Sequence, residues 1–187
     1  MDRMSSQVSR ARGFTLGELM VVLAVLGVAL VVAVPAMQRL SQSVQVRTEA
    51  RRLLAAIHLT RNEAIKRNVP VSLCPSPMAR TGEAACAGVY ADGWIMFSNR
   101  NRDRVVDPGD VLIQAFDGLP PGYSLTNRAA TRDENQLITY YPDGTAHRNR
   151  TLMICSREDP EVSSWSVILN IVGRPRIARD WGDCPTG

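Results

Sequence analysis

The sequence contains few of the residues that enzymes use for catalysis. Its 187 residues include only two histidines, His58 and His147, and the patterns GxSxG, HExxH and GxxxxGK[ST] are all absent. Those patterns supply a nucleophile, zinc ligands or a phosphate-binding loop. No local pattern pairs either histidine with a nucleophile. We therefore expect a protein that is not an enzyme and that has no cofactor.

The four cysteines lack the spacing of a zinc site, because no CxxC pair occurs among Cys74, Cys86, Cys155 and Cys184. An even number of cysteines in an exported domain is typical of disulfide bonds. Three connectivities are possible. The nearest-neighbour pairing, Cys74 with Cys86 and Cys155 with Cys184, closes short local loops, and it is our prediction.

A calcium loop is also poorly supported. Asparagine and aspartate fall at the first, third, fifth, ninth and twelfth places of a possible loop: Asn99, Asn101, Asp103, Asp107 and Asp110. Arg104 occupies the sixth place, where a glycine normally allows the sharp turn, and the twelfth place lacks the usual glutamate. A polar hairpin turn is the better interpretation, and we predict no metal site.

Charge is missing from one long stretch near the N-terminus. Sixteen consecutive residues from Leu19 to Val34 carry no charged side chain. With the apolar residues on either side, they would form a helix of about 36 Å, which is enough to cross a bilayer core. The sequence therefore predicts a membrane helix.

Glu18 lies at the start of this apolar stretch. A carboxylate within a spanning segment costs about 2.5–3.5 kcal/mol at mid-bilayer, so it usually has a cationic partner. The apolar stretch offers none. Cleavage between Gly13 and Phe14 would create an amine on Phe14 at the membrane depth of Glu18, in the same chain or in a neighbouring copy.

The segment Gly13-Phe14-Thr15-Leu16-Gly17-Glu18, preceded by basic residues, resembles the class III signal of type IV pilins and type II secretion pseudopilins. The resemblance implies that a prepilin peptidase cleaves after Gly13 and methylates Phe14. It also implies that Glu18 acts in filament assembly with other pilin or pseudopilin subunits. Pro35 stands at the family's spacing, whereas Gly17 replaces a more usual isoleucine or valine.

Two other interpretations of this segment remain open. A Sec signal peptide would also combine basic residues with an apolar core, and cleavage after Ala36 would release a soluble protein. A plain signal anchor would let Glu18 reach the cytoplasmic interface. A glutamate at the start of the apolar region argues against the first.

The distribution of charge predicts the orientation of the chain. The leader carries Arg3, Arg10 and Arg12 against Asp2, which orients the N-terminus to the cytoplasm by the positive-inside rule. We expect a single-pass protein of the bacterial inner membrane with a periplasmic head. The predicted parts are a leader (1–13), a transmembrane half-helix (14–37), an amphipathic half-helix (38–69) and a β-rich head (70–187).

Beyond the membrane segment, the pattern predicts an α+β fold. Up to Asn68, apolar residues recur at three- and four-residue steps, as on one face of a helix: Val46, Ala50, Leu53, Ile57, Ala64 and Ile65. Pro70 ends this helix. Short β runs follow at 71–74, 93–97, 111–116, 137–141, 151–155 and 165–172, and Asp143-Gly144 predicts a tight hairpin between the fourth and fifth. We expect the long helix to pack on a small antiparallel sheet, as in pilins.

The head carries a second family resemblance. Gly93-Trp94-Ile95-Met96-Phe97, a polar turn, and Asp107-Pro108-Gly109-Asp110 before Leu112 resemble the head of the FimT/GspH group of minor pilins and pseudopilins. This resemblance implies a filament subunit at the tip, or in priming, of a type IV pilus or a type II secretion pseudopilus. The sequence leaves open which of these machines it serves.

A cluster of arginines follows the last predicted strand. Arg174 and Arg176, separated by Pro175, would point the same way about 6.6–7 Å apart in an extended chain, which is close to the spacing of successive phosphates on a nucleic-acid strand. Gly173-Arg174-Pro175-Arg176, with Arg179 nearby, resembles the C-terminal motif with which FimT minor pilins bind DNA in natural transformation. We expect these four residues, Gly173, Arg174, Arg176 and Arg179, to contact double-stranded DNA without sequence specificity.

Two observations oppose a DNA role. Twelve arginines face fourteen acidic residues between positions 69 and 187, so the head as a whole is slightly acidic. Arginines at a strand edge also serve simply to keep that edge solvated. The alternative is a GspH-type minor pseudopilin of type II secretion with no DNA role.

Overall fold

The computed structural model describes residues 15–182 and 184, and the chain divides into two compact units at Gln38 and Arg39. Helix α1 runs from Leu16 to Arg67. All its side chains up to Gln38 are exposed, and this part is long and apolar enough to cross a membrane. Pro35 lies inside the helix, a position that helices tolerate more readily in membranes than in water. The predicted cleavage site, Gly13 and Phe14, lies outside the described residues.

In the second unit, the remainder of α1 buries one face. Its buried residues are spaced at three- and four-residue steps: Val46, Glu49, Ala50, Leu53, Ala56, Ile57, Thr60 and Ala64. Ile65, predicted to belong to this face, is instead 48% exposed. The helix ends before Pro70, where Asn68 adopts a left-handed conformation with φ of 54°.

The head contains eight strands and two short helical elements. The strands are β1 (Val71–Pro75), β2 (Gly93–Ser98), β3 (Leu112–Asp117), β4 (Tyr123–Asn127), β5 (Ile138–Tyr140), β6 (Arg150–Ser156), β7 (Trp165–Leu169) and β8 (Pro175–Arg179). Helix α2 spans Met78–Thr81, and a 3-10 helix spans Tyr90–Asp92. The predicted α+β class, a long helix packed on antiparallel sheet, is confirmed.

The strands form two antiparallel sheets where the sequence predicted one. Their orders are β3-β2-β1-β5 and β4-β6-β7-β8. Both contribute to one core with the buried face of α1, including Leu53, Trp94, Leu152 and Val167, each inaccessible to solvent. Burying such side chains stabilises the fold by about 1.5–3 kcal/mol each, and much of this surface is supplied by the helix.

The predicted hairpin around Asp143-Gly144 is wrong. A tight turn does form there, with the Gly144 amide donating to the Tyr141 carbonyl at 2.9 Å. However, β5 pairs with β1 in the first sheet, whereas β6 pairs with β4 and β7 in the second. The turn therefore connects two sheets rather than two partners in one sheet.

Two strands were not predicted from the sequence, β4 and β8. The predicted final strand, 165–172, ends earlier at Leu169, and a turn leads into β8. The arginine motif therefore does not form a tail after the last strand. Arg176 and Arg179 lie within β8, at the edge of the second sheet, and Gly173 and Arg174 come just before it.

Both disulfide bonds in the structure join neighbouring cysteines along the chain, as we expected. Cys74 bonds to Cys86 across 12 positions, and Cys155 bonds to Cys184 across 29. The first ties the loop after β1 to the first sheet. The second attaches the segment beyond β8 to β6.

Candidate nucleic-acid interface

Glu18 closes the N-terminal turn of α1. Its carboxylate accepts a hydrogen bond from the Thr15 amide at 2.8 Å and from the Thr15 hydroxyl at 2.9 Å, while the Glu18 amide donates to the Thr15 hydroxyl at 3.3 Å. This reciprocal pair is a capping box. The pattern Thr-x-x-Glu in the sequence could have predicted it, but our sequence analysis considered only a cation as partner. The carboxylate is thus held at the start of the helix, and it remains exposed.

The turn between β7 and β8 requires glycine at position 173. Gly173 has φ of 83°, and a Cβ atom there would overlap the Gly144 carbonyl oxygen. Its amide donates to the Asn170 carbonyl at 2.9 Å, and its carbonyl accepts from the Tyr140 hydroxyl at 3.3 Å. Burial raises the pKa of Tyr140, and the charge of Arg61 opposes this rise, so the hydroxyl stays a donor at neutral pH. The turn fixes where β8 begins.

Arg174 and Arg176 point to one side of the β8 edge. Strand alternation places Ile177 toward the core, where it packs beside Val167, and so places Arg176 on the outer face. Arg174 precedes the strand by one residue, and its amide donates to the Asn170 side chain at 2.9 Å. Both arginines are exposed, and neither has a carboxylate within 4.0 Å among residues 15–182 and 184.

Arg179 does not share this face. Alternation along β8 puts it on the side of Pro175 and Ile177, opposite Arg176. Its guanidinium donates to the Ser163 hydroxyl at 2.8 Å and lies 3.4 Å from the Asp180 carboxylate. The structure therefore brings together Arg174 and Arg176 but separates Arg179, which is already paired, from them.

Two residues that the sequence analysis missed lie beside Arg176. The Arg176 guanidinium carbon is 5.5 Å from the centre of the Trp181 ring, and that of Arg128 is 4.9 Å from the same ring. Trp181 is 40% exposed, and its carbonyl accepts from the Ser166 hydroxyl at 3.1 Å. We call Arg174, Arg176, Trp181 and Arg128 the arginine face. No sequence signal joins Arg128 to the motif, because the contact crosses the sheet.

The second disulfide helps to hold this arrangement. Beyond β8, the Trp181 carbonyl accepts from Ser166 on β7, and Cys184 is bonded to Cys155 on β6. The segment that carries Trp181 is therefore attached at both ends, by β8 on one side and by the disulfide on the other. A tethered ring restricts the positions that both guanidiniums can take.

The polar loop between β2 and β3 is closed by its own hydrogen bonds. The Asn101 amide group donates to the carboxylates of Asp103 at 2.9 Å and Asp107 at 2.7 Å. Within residues 15–182 and 184, no cluster of three metal-ligating side chains is present. This geometry is that of a hydrogen-bonded turn.

Comparison with known proteins identifies the family. Residues 49–173 match the family described as Type II transport protein GspH, and residues 8–34 match the Prokaryotic N-terminal methylation motif. The chain belongs to the GspH family. No curated protein sequence matches it significantly.

Two solved structures resemble this GspH-family chain. One is the type IV minor pilin FimU of Pseudomonas aeruginosa, with 15% identity, a TM-score of 0.51, and coverage of 71% of this chain and 91% of that one. The other is the minor pseudopilin EpsH of the Vibrio cholerae Type 2 Secretion System, with 13% identity, a TM-score of 0.50, and coverage of 72% and 96%. At this identity the likeness shows a shared fold.

The family match gives the class of the molecule. It is a minor pilin or pseudopilin of a type IV pilus or a type II secretion system, and such proteins associate with other subunits of their kind. The GspH match ends at Gly173, immediately before Arg174. Of the arginine face, Arg128 lies within the matched residues, whereas Arg174, Arg176 and Trp181 lie beyond them.

Proposed function

We propose that this GspH-family chain is cleaved after Gly13 and methylated at Phe14, then joins a filament at or near its tip. The match of residues 8–34 to the methylation motif supports this step. So does the exposed apolar part of α1, which a membrane or neighbouring subunits would cover. In this proposal the leader (1–13) stays in the cytoplasm, the transmembrane half-helix (14–37) anchors the chain in the inner membrane, and the rest (38–187) lies in the periplasm.

The proposed function of the head is to capture DNA for uptake. The observation that carries this proposal is the arginine face: Arg174 and Arg176 are exposed on one side of an edge strand, with Arg128 gathered beside them by Trp181. A row of guanidiniums matches the phosphates of a nucleic-acid strand and reads no base sequence. The subunit would thus serve a type IV pilus active in natural transformation.

Binding through this face should be weak. Three arginines can neutralise about two or three phosphates, which gives a slope of log affinity against log salt near −2 to −3. Affinity in the micromolar range or weaker is expected, because non-specific DNA binding at physiological salt typically lies there. Several subunits, or one subunit held close to DNA by the filament, would raise the effective affinity.

A second candidate is a GspH-type minor pseudopilin that has no DNA role. The slightly acidic head favours it. In that case Arg174 and Arg176 would only keep the β8 edge solvated and unpaired. The two candidates differ in one measurable property, the affinity of the chain for DNA.

The experiment uses the full chain in a neutral detergent and measures fluorescence anisotropy with two labelled duplexes of unrelated sequence. The parent should bind both equally at low salt and lose affinity as salt rises. The variant Arg174→Gln with Arg176→Gln should lose binding to both, because the phosphate contacts are removed. Its circular dichroism should be unchanged, since both side chains are exposed.

The matched control removes two charges elsewhere, Arg51→Gln with Arg80→Gln. Both residues are exposed, and neither belongs to the arginine face. This variant should bind almost as well as the parent. Equal loss in both variants would show a response to net charge alone, and no binding by the parent at low salt would leave the pseudopilin candidate.

A further inference from the structure

A second basic surface surrounds a cavity of about 490 Å³ in the head. It opens between the loop after β2, strand β5 and the start of β6. Four arginines line it, together with polar and aromatic side chains: Asn101, Arg102, Arg104, Gln136, Leu137, Thr139, Tyr141, His147, Arg148 and Arg150. We call it the basic cavity. Its volume lies in the range of small-ligand sites, about 300–1,000 Å³.

The positive charge of the basic cavity is poorly balanced. Arg102, Arg104 and Arg148 are exposed, and none has a carboxylate within 4.0 Å among the residues described. The Asp103 carboxylate beside the rim is bonded to Asn101 and to the Val105 amide. Three guanidiniums around one opening repel each other, so an anion between them would lower the free energy.

Arg150 is the most buried of the four. Its side chain is 17% exposed, and the nearest carboxylate oxygen, on Glu134, lies 3.8 Å from its Nη1 atom, too far for a hydrogen bond. The same Glu134 oxygen already accepts a hydrogen bond from the Gln136 backbone amide at 2.9 Å. The buried Nε atom of Arg150 has no hydrogen-bond partner in the described part of the chain.

The buried Tyr90 lies next to the basic cavity. Burial raises the pKa of Tyr90 well above its ordinary value, Glu134 raises it further, and Arg150 and Arg104 oppose the rise. The Tyr90 hydroxyl donates to the carbonyl of Gln136, a cavity residue, at 3.1 Å.

The chemistry of the lining favours a phosphate group. Guanidinium forks bind phosphate oxygens in pairs, and Arg is the preferred residue for this contact. Two further groups can donate hydrogen bonds to a sugar or base edge next to the phosphate: the Tyr141 hydroxyl and the Gln136 side-chain amide. The Tyr141 hydroxyl is hydrogen-bonded to His147 Nδ1 at 2.9 Å. Such a lining has little to offer an apolar ligand.

Strand register places the basic cavity at the same end of the second sheet as the start of the arginine motif. Arg150 lies on the core side of the sheet with Leu169 and Pro175, whereas Arg176 lies on the outer side. Arg150 on β6 is opposite Leu169 on β7, which is opposite Pro175 on β8. Two strand spacings amount to about 10 Å, so Arg150 and the start of the arginine motif lie about that far apart. Asn149, between Arg148 and Arg150, accepts the Ile171 amide of the β7–β8 turn at 2.7 Å. The two basic surfaces are therefore joined by a hydrogen-bonded turn.

We propose that the basic cavity binds a phosphate group, and that this phosphate belongs to the DNA strand that also contacts Arg174 and Arg176. The DNA part rests on the proposed function, whereas the phosphate site does not depend on it. Together the two surfaces would engage one more phosphate than the arginine face alone. The basic cavity would then determine the direction in which the DNA strand leaves the arginine face.

The first arm of the test measures phosphate binding directly. NMR spectra of the 15N-labelled full chain in neutral detergent would follow the Nε–H signals of Arg148 and Arg150 as inorganic phosphate is added at constant ionic strength. Those signals should shift, and they should shift equally in the Arg174→Gln with Arg176→Gln variant, because its cavity is intact. The absence of a shift in the parent would overturn the phosphate site.

The second arm measures the link to DNA with the variant Arg104→Gln and Arg148→Gln, whose replaced side chains are exposed. Loss of one charged contact should weaken duplex binding about tenfold and reduce the magnitude of the salt slope by about 0.9. The Arg51→Gln with Arg80→Gln variant again serves as the charge-matched control.

A phosphate shift combined with unchanged duplex binding would overturn the DNA contact and point to a free or small-molecule phosphate. If the parent binds no DNA, the proposed function and this contact both fail while the phosphate site is judged by the first arm.

Discussion

Glu18 has two possible roles that a single substitution to alanine would confuse. The carboxylate caps the first turn of α1 through Thr15, and it is also proposed to neutralise the Phe14 amine of a neighbouring subunit. Removing this carboxylate would weaken the first turn of the helix, because the Thr15 amide would lose its acceptor. Removing the charge would instead leave an amine without a partner in an apolar environment.

We predict that Glu18→Gln fails to join the filament although glutamine can still complete a capping box. Thr15→Ala, which weakens the cap but keeps the charge, should still be incorporated. Immunoblots of membrane and sheared-filament fractions measure the incorporation of both variants, and each variant should reach the membrane. Normal incorporation of Glu18→Gln would mean that the charge is not required.

Trp181 is the residue that positions the Arg128 and Arg176 side chains of the arginine face. Cation–π contacts at exposed sites contribute about 0.5–1 kcal/mol each, and this ring contacts both Arg128 and Arg176. Trp181→Ala should therefore weaken duplex binding by about two- to fivefold through loss of positioning, measured by anisotropy. Trp181→Phe retains an aromatic face and should restore most of the affinity. If alanine and phenylalanine have the same effect, the ring does not position these arginines.

At the scale of elements, the head depends on two short covalent links. The Cys155–Cys184 bond attaches the segment carrying Trp181 to β6, whereas the Cys74–Cys86 bond closes a loop next to the first sheet. The chain-entropy estimate gives about 3–4 kcal/mol for the longer loop and about 3 kcal/mol for the shorter one. Loss of either disulfide should therefore lower the stability of the head by a similar amount, and the two losses should differ more in their effect on function.

We predict that non-reducing peptide mapping links Cys74 to Cys86 and Cys155 to Cys184. Replacing Cys155 and Cys184 by serine should lower the free energy of unfolding by about 3 kcal/mol and also weaken duplex binding, because Trp181 loses its tether. Replacing Cys74 and Cys86 by serine is the matched control and should affect stability alone. Recovery of a Cys86–Cys155 peptide would contradict this pairing.

The elements differ in how far the sequence could predict them. Helix α1 was predictable because its apolar stretch and its three- and four-residue steps are local signals that extend over 52 residues. Strand β8 was missed because Pro175 begins it and its two arginines, Arg176 and Arg179, do not alternate with apolar residues, so it resembles a solvated tail. The hairpin at Asp143-Gly144 was misassigned because a turn signal does not specify which strands pair.

The functional surfaces show the same limit. Arg174 and Arg176 were found because they are two residues apart, and strand geometry alone puts them on one face. Arg128 and the arginines of the basic cavity come from separate elements, and only the folded sheets bring them together. Trp181 carried no signal of its own, because its proposed function depends on contacts with Arg128 and Arg176 that only the folded chain makes.

At the scale of the whole molecule, the two ends of the chain have different proposed tasks. The N-terminal segment matches a methylation motif, and the head belongs to the GspH family of filament subunits. Membership in the family does not specify whether the filament serves uptake or secretion. The DNA measurements address that question, but they depend on the chain first being processed and assembled as a pilin.

The most direct test of the central claim is the N-terminus of the protein recovered from filaments. Mass spectrometry of the chain in sheared-filament fractions should find a mature protein that begins at Phe14 and carries one methyl group on its amine. Substituting Gly13 by alanine should leave the leader attached and the chain in the membrane fraction. A mature protein beginning at Met37, or an uncleaved chain within the filament, would contradict the assignment of this protein as a processed pilin subunit.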